Sequence, residues 1–455
     1  YPQAVVSRYN ALGDIVLALR TEKIDVAMID TISAQLLLKK NPELGMLVNG
    51  ILPLPLAIGF SKDNPELRRQ FNGYLAEIRA DGTYAEVHRR WCLDDPETAR
   101  MPKPRYAEQG REWKVGVAVA DLPYVAYMNG EYVGFDIEIL QKFAERRGYR
   151  IKWLTMEFPS LIAALASGKV DMIADGIAIT AERQKQVDFS DSHLDSTTAV
   201  FGLRKNIAAY TGTGTGDSQA PAPAVSFFGR IARSFHSNIV VEKRYLLILD
   251  GLKTTLITSI LSILFGTLLG GLICFMRMSR RKVLSLTARL YISVLRGTPV
   301  LVLLMIIFYV VFASVDIDPV VVAVIAFGMN FAAYVSEMYR TGIEGVDRGQ
   351  TEAGIAMGFS RIKTFFYIVM PQAVRRILPV YKGEAISLVK MTSIVGYIAV
   401  QDLTKASDII RSRTFDAFFP LIMVAVLYFI LAGLLMLLLG IAERRTNPKL
   451  KARKA

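Results

Sequence analysis

Residues 349–371 read GQTEAGIAMGFSRIKTFFYIVMP, a charged and glycine-punctuated segment set between two long apolar runs. Thr351 has the side chain to cap a short helix, and Gly358 permits a sharp exit from it. The expected product is a compact knob on the membrane face, shaped to dock into a groove of a partner. The flanks set its context. Four stretches, 254–276, 297–315, 319–336 and 417–442, lack Asp, Glu, Lys and Arg over about the length needed to cross a bilayer. A fifth, 377–399, is apolar but carries Lys382, Glu384 and Lys390, so it is expected to face protein rather than lipid.

The chain of 455 residues is long for one domain, and its apolar residues concentrate after about Tyr245. It therefore reads as soluble first and membrane second. Basic residues near the span ends set the expected orientation. Arg277, Arg280, Arg281, Lys282 and Arg289 follow the first span; Arg340, Arg348, Arg361, Lys363, Arg375 and Arg376 lie between the third and fourth in chain order. A third cluster, including Arg444, Arg445, Lys449 and Lys451, closes the chain, whereas Asp316 and Asp318 follow the second span. All three basic clusters belong in the cytoplasm, which puts everything before Thr254 outside. The net charge of +13 is then explained by topology and by contact with anionic lipid. Nucleic acid is excluded as a partner, because the basic residues are scattered among the spans.

Several signals carry little chemistry. Cys92 lies in the soluble half and Cys274 within the first span, so an intramolecular disulfide is not expected. His88, His193 and His236 have no metal-ligand spacing, and neither a metal nor a cofactor is called for. The run TGTGTG at 211–216 follows no strand and precedes no Lys-Ser or Lys-Thr, so it is no phosphate-binding loop. Continued as DSQAPAPA, it reads as a flexible tether. Beyond it, Phe228, Ile231 and Phe235 fall at helical spacing beside Arg230 and Arg233, as in an interfacial helix. The chain begins at Tyr1 with neither Met nor a secretory signal, so sequence upstream of it is expected.

In the soluble half, KVGVAVA at 114–120 has strand period and is followed by helical period in FDIEILQKFAERR, the alternation of a parallel α/β sheet. Residues 114–204 resemble the opening of the first lobe of the type II periplasmic solute-binding proteins for polar amino acids. Residues 1–91 resemble the later part of the second lobe, ALGDIVLALRTEKIDVAMID, and then the closing helices of the first, PELRRQFNGYLAEIRADGTYAEVHRRW. The second lobe's opening strand is absent before Tyr1. Two accounts fit this order: the tail of a tandem array, or complementary parts of one permuted unit. The missing opening strand favours the truncated tandem. The polar, Pro-containing link DDPETARMPKPRYAEQG at 94–110 suits both.

The resemblance implies a ligand site. A free amino acid presents an α-carboxylate and an α-ammonium, so its binder needs a fork of donors and a carboxylate. Arg183 matches the family's carboxylate-binding arginine, Asp30 its ammonium-binding aspartate, Tyr124 and Phe158 its sandwiching aromatics, and Asp121 a pocket acid. Where the family has Ser-Gly-Met-Thr, this chain has Asp175, Gly176, Ile177 and Ala178, losing a hydroxyl and gaining an acid. On residue chemistry alone, Arg183 also reads as a helix-start surface arginine, Asp30 as a strand-end cap, and the two aromatics as core.

Residues 251–445 resemble the permeases of polar amino-acid ABC importers of the histidine and glutamine type. Their "EAA" loop is matched by Glu352, Ala353, Gly358, Ile368 and Pro371, with Gly354 in place of the third Ala and Met370 in place of a Leu. Arg296-Gly297-Thr298-Pro299, Ala333-Tyr334, Glu337 and LVKMTSIVG belong to the same resemblance, with Met391 standing where the family has Asp. It implies a separate ABC ATPase docking at the loop, a second permease subunit, identical or different, and a polar amino acid as cargo. Glu384 and Lys390 are candidate transport-pathway residues, with an internal helix-pairing role as the alternative. No Walker A sequence is present, and the chain is not expected to be an enzyme.

The expected fold class is partial α/β lobes of the type II periplasmic binding-protein kind plus an all-α polytopic membrane domain of five transmembrane helices. The expected organisation is a partial solute-binding domain at 1–95, a linker at 96–110, a first lobe at 111–205, a tether at 206–225, an elbow helix at 226–250, the permease domain at 251–445 and a basic cytoplasmic tail at 446–455. The location implied is the inner membrane. A ligand-gated channel on the same binding fold would need a re-entrant pore loop and no EAA pattern, and a sensor would need a cytoplasmic signalling domain.

Overall fold

Residues 5–7, 9, 12–119, 122–211, 227–414, 416 and 418–446 are described by the structure, a computed structural model. They fall into two units, Tyr1–Ile248 with Lys405–Ile422, and Leu249–Thr404 with Met423–Ala455.

The first unit opens with α1 (Leu12–Arg20), β1 (Val26–Asp30), α2 (Thr31–Lys40), β2 (Leu44–Val48), β3 (Pro53–Phe60), α3 (Pro65–Ala80) and α4 (Thr83–His88). After the link come β4 (Glu112–Val117), the hairpin β5 (Ala126–Met128) and β6 (Glu131–Val133), α5 (Phe135–Arg147), β7 (Arg150–Thr155), α6 (Ser160–Ala166), β8 (Met172–Ala178), α7 (Ala181–Gln184), β9 (Asp188–Phe189), β10 (Leu194–Leu203) and α8 (Arg204–Thr211). Strands β4, β7 and β8 pair in parallel, joined by α5 and α6 as the α/β alternation requires. The order through the sheet is β1-β10-β3-β8-β4-β7, with β2 on β10 and β9 on β3.

Both sequence segments thus contribute strands to one sheet, and the expected truncated tandem, with its two pieces in different units, gives way to a shared architecture. The reason lies in β10. Its first residues pair with β3, Leu194 opposite Leu56 and Thr197 opposite Pro53. The remainder pairs with β1, Thr198 opposite Asp30 and Gly202 opposite Val26, and with β2 on its other edge. The larger core also draws on both segments, with Phe60, Phe71, Tyr74 and Trp91 packed among Trp113, Phe135 and Phe143. The Trp91 indole donates to the buried Glu138 carboxylate at 2.7 Å, which Arg90 also engages, and the Tyr74 hydroxyl donates to the Ile139 carbonyl at 3.0 Å. The helices at 65–91 thus pack on the part of the unit built from β4 and α5. A smaller core of Val16, Leu19, Leu37, Leu44 and Phe201 lies around β1, β2 and α2.

Residues 206–211, expected to begin the tether, are the later part of α8, and the remainder of that stretch lies outside the described residues. Helix α9 (Phe227–Phe235) occupies the expected elbow; the side chains of Phe228, Arg230 and Ile231 are outside the described set.

The second unit contains α10 (Tyr245–Arg277), α11 (Lys282–Gly297), α12 (Val300–Ile306), α13 (Pro319–Glu344), α14 (Arg348–Ala356), α15 (Arg361–Thr364) and α16 (Met370–Met391). Helices α17 (Leu403–Thr414) and α18 (Phe418–Thr446) follow and are divided between the units. Among the described residues, α10, α13 and the Phe418–Ile441 part of α18 are long and apolar enough to cross a membrane. Two bent pairs, Lys282–Gly297 with Val300–Val311 and Arg361–Ile398 with Leu403–Thr414, raise the count to as many as five if each is one span. The first pair turns by 109° at Thr298-Pro299, where proline disfavours helix in the residue before it. Small residues bring α10 and α13 together: a Cβ at Gly266 would lie 2.6 Å from the Gly328 carbonyl oxygen, and one at Gly270 would lie 3.0 Å from Val335. Close backbone approach of this kind is how helices associate where apolar surface gives no driving force.

Residues Lys405–Ile422 cluster with the first unit. Charge explains it. Lys405 pairs with Glu157 at 3.0 Å, Arg411 with Asp14 at 2.9 Å, and Arg413 with Glu97 at 2.8 Å. Burial would raise the Glu97 pKa, but Arg413 and Lys40 outweigh it and hold the carboxyl at about 2. A depressed folded-state pKa contributes stability above the unfolded value, and that stability is lost as pH falls through the folded one. Glu97→Gln is therefore expected to destabilise the first unit by about 1–2 kcal/mol at neutral pH, allowing for solvent screening of a carboxylate about a third exposed. Denaturation of the full chain at several pH values should show the difference from wild type shrinking between about pH 4.5 and 2. A difference independent of pH would contradict the ion-pair assignment.

Candidate ligand and coupling sites

Of the candidate ligand-site residues, Asp30 stands at the end of β1 and Arg183 after β8, and Tyr124 and Phe158 stand after β4 and β7. Asp30 closes β1 and caps α2, accepting the Ser33 amide at 2.9 Å. The same oxygen accepts the Tyr124 hydroxyl at 2.7 Å. Asp30 is thus both the strand-end cap and the partner of a site aromatic. Tyr124 is buried, and burial first, then the Asp30 carboxylate, push its phenol pKa well above the ordinary value. Its ring lies on Gly176, whose φ is +57° and where a Cβ would stand 2.5 Å from the ring. Only glycine fits that contact and that backbone.

Arg183 sits in α7, its amide capped by the Thr180 hydroxyl at 3.3 Å. Its guanidinium donates to the Ala178 carbonyl at 2.9 Å and lies 5.5 Å from the centre of the half-buried Phe158 ring. Partial burial lowers its pKa without neutralising it. The structure therefore forms two pairs, Asp30 with Tyr124 and Arg183 with Phe158. Asp175 is buried in β8, and Asp121 lies outside the described residues. The sequence reading missed Thr31 and Thr197, whose hydroxyls meet at 2.8 Å beside Asp30, Thr31 also donating to Asn49 at 2.9 Å. The only signal for them was Thr31's place directly after the capping aspartate. An acceptor, a fork of donors and aromatic faces are the groups that recognise a zwitterion. No cluster of three or more His, Cys, Asp or Glu side chains suited to a metal occurs among the described residues.

The loop at 349–371 holds a short helix, a glycine turn and a second short helix, with a cap other than the one expected. Asp347, not Thr351, caps α14, accepting the Gly349 amide at 2.7 Å; Thr351 falls inside the helix. The carboxylate at the N-terminus also faces the positive end of the helix dipole. Gly358 has φ +86° and ends the turn, its amide bonded to the Ile355 carbonyl at 2.9 Å. Ser360 then caps α15. Gly354, where the loop departs from the family pattern, is buried: a Cβ there would stand 2.7 Å from Thr364 and 2.8 Å from Ile368. Glu352 and Ala353 are exposed on α14, and Pro371 occupies the first turn of α16. Ile355, Met357, Ile362 and Phe366 are exposed on the same loop. On α16, Glu384 is half-buried, Lys390 is exposed, and Lys382 pairs with Glu443.

Comparison with known proteins now bears on both parts. Residues 5–94 and 113–413 match the bacterial extracellular solute-binding proteins, family 3. The chain is 33% identical over 204 residues to a putative glutamine transport system permease of Rickettsia felis, covering 44% of this chain and 94% of that one. It is 38% identical over 212 residues to an L-cystine transport system permease of Bacillus subtilis, 46% of this chain and 91% of that one, and 35% identical over 202 residues to the glutamine permease of Escherichia coli, 44% and 92%. The chain belongs to the family 3 solute-binding proteins and to the amino-acid ABC transporter permeases. It is a fusion of the two, a multi-pass inner-membrane transport protein whose family works with an ATPase and a substrate-binding protein. The channel alternative finds no support in these relatives.

In such a permease the packing at Gly354 is specific to this loop. Gly354→Ala is expected to cost about 1–3 kcal/mol by overpacking against Thr364 and Ile368, and Gly358→Val about 1–2 kcal/mol through left-handed strain. Thermal unfolding of the detergent-solubilised chain checks both. Wild-type stability in both would contradict the geometry.

Proposed function

We propose that this chain is the membrane-spanning subunit of an ATP-driven importer of polar amino acids, carrying its own extracytoplasmic binding unit. The observation that carries the reading is the coexistence, in one chain, of the Asp30, Tyr124, Phe158 and Arg183 groups with the capped, glycine-ended knob at 347–358. In this reading the ligand's ammonium goes to the Asp30 carboxylate that the Tyr124 hydroxyl orients, its carboxylate goes to Arg183, and Tyr124 and Phe158 flank its side chain. Asp175 adds acid to the pocket and biases it towards cargo with donor groups.

The knob, with Glu352, Ala353, Gly358, Ile368 and Pro371, docks into a groove of a separate ABC ATPase, its exposed Ile355, Met357 and Ile362 supplying apolar contact. Two permease subunits, identical or different, then alternate access across the bilayer, with Glu384 and Lys390 along the path. The basic clusters place the knob and the C-terminus in the cytoplasm and the α/β unit outside.

Uptake of radiolabelled polar amino acids by vesicles holding the chain and its ATPase tests the reading. Gly358→Val should abolish uptake and ligand-stimulated ATP hydrolysis while the chain still inserts; unchanged uptake would overturn the coupling role. For orientation, a chain lacking Cys92 and Cys274 is given a single cysteine at Glu131 or Ser360. An impermeant thiol reagent outside right-side-out vesicles should label the first and spare the second, and the reverse pattern would invert the topology.

A further inference from the structure

The first lobe contains a buried pair that none of the binding groups uses directly. Asp136, in the first turn of α5, and His193, immediately before β10, are both fully buried, with His193 Nε2 2.7 Å from Asp136 Oδ1. Asp136 Oδ2 accepts the Gly176 amide at 2.8 Å. Nδ1 of His193 is buried without a hydrogen-bond partner, while the ring stacks on Phe135 at 5.6 Å. A carboxylate accepts only, so the contact requires the proton on Nε2, and in the neutral imidazole Nδ1 is then the unpaired acceptor. Leaving a buried ring nitrogen unpaired is costly. The arrangement persists because Asp136 gains two donors.

Asp136 holds Tyr124 from two sides. Its own amide donates to the Tyr124 carbonyl at 3.2 Å, next to the Phe135 amide on the Pro123 carbonyl at 2.7 Å. Its carboxylate fixes Gly176, the residue on which the Tyr124 ring rests. Tyr124 in turn reaches Asp30. His193 completes the device from the other end: its amide donates to the Leu56 carbonyl at 3.0 Å and its carbonyl accepts the Tyr84 hydroxyl at 2.8 Å, which fixes the start of β10, the strand opposite Asp30.

We infer that Asp136 and His193 are positioning residues of the amino-acid site, setting Tyr124 and through it the Asp30 carboxylate that receives the ligand's ammonium. The inference rests on the ligand reading proposed above. Asp136→Ala removes both contacts. Asp136→Asn keeps an acceptor for Gly176 but turns an amide donor towards Nε2, and the imidazole must then carry its proton on Nδ1.

The test uses the full chain in lipid nanodiscs, with all twenty radiolabelled amino acids as probes and selectively 15N-labelled histidine for the tautomer. In wild type, His193 should be the Nε2–H tautomer, and in Asp136→Asn it should switch to Nδ1–H. Whichever amino acid wild type binds should bind Asp136→Ala roughly tenfold more weakly or worse, and Asp136→Asn with an intermediate loss. Should Asp136→Ala fail to fold, the wild-type tautomer and the Asp136→Asn affinity still decide. An Nδ1–H tautomer in wild type, or undiminished binding by folded Asp136→Ala or by Asp136→Asn, overturns the positioning role alone. Absence of binding of any amino acid by wild type overturns the ligand reading and this role with it.

Discussion

Strand β10 is the constraint on which the α/β unit depends. An antiparallel strand satisfies its backbone groups only if it has partners on both edges, and β10 finds them in β3, β1 and β2. All three partners come from the first segment, before the link at 94–110, whereas β10 itself comes after it. The order of pieces in the chain is therefore secondary to the register of this strand. The two cores follow from the division, a larger one beside β3 and a smaller one beside β1 and β2.

That division also places the proposed binding groups. Asp30 ends β1 opposite Thr198, while Tyr124, Gly176 and Arg183 belong to the part of the unit built on β4 and β8. The Tyr124–Asp30 hydrogen bond closes on a carboxylate that an incoming ammonium would need. In the proposed reading Tyr124 orients the carboxylate that receives the ammonium, so the strength of binding depends on how firmly Tyr124 is held. The helical unit answers to different physics: glycines at 266, 270 and 328 set the approach of α10 and α13, and the left-handed Gly358 sets the shape of the loop.

Much of this was legible in the sequence. The uncharged stretches at 254–276, 319–336 and 417–442 fall on long apolar helices because length and apolarity are local properties, and the glycine at 358 marked its turn because φ beyond zero has few other occupants. The cap was misread because Thr351 and Asp347 both suit an N-terminus, and only the start of the apolar periodicity, a residue or two uncertain, separates them. The ion pairs of α17 were not legible, since its partners Asp14, Glu97 and Glu157 are hundreds of residues away and leave no local trace. The tandem expectation failed for the same reason: strand pairing across the link is non-local. The same limit hid Asp136 and His193, which read as an ordinary first-turn acid and a histidine without metal spacing.

The central claim is that the two segments form one binding unit through β10. It is tested most directly by placing cysteines at Met28 and Val200, which are paired across β1 and β10, in a chain lacking Cys92 and Cys274. Directly opposed residues of antiparallel strands have Cα separations within disulfide range. Mild oxidation in native membranes followed by proteolysis and mass spectrometry should join the two peptides within a single chain in high yield. Absence of the cross-link, or a cross-link formed only between two chains, would contradict the account.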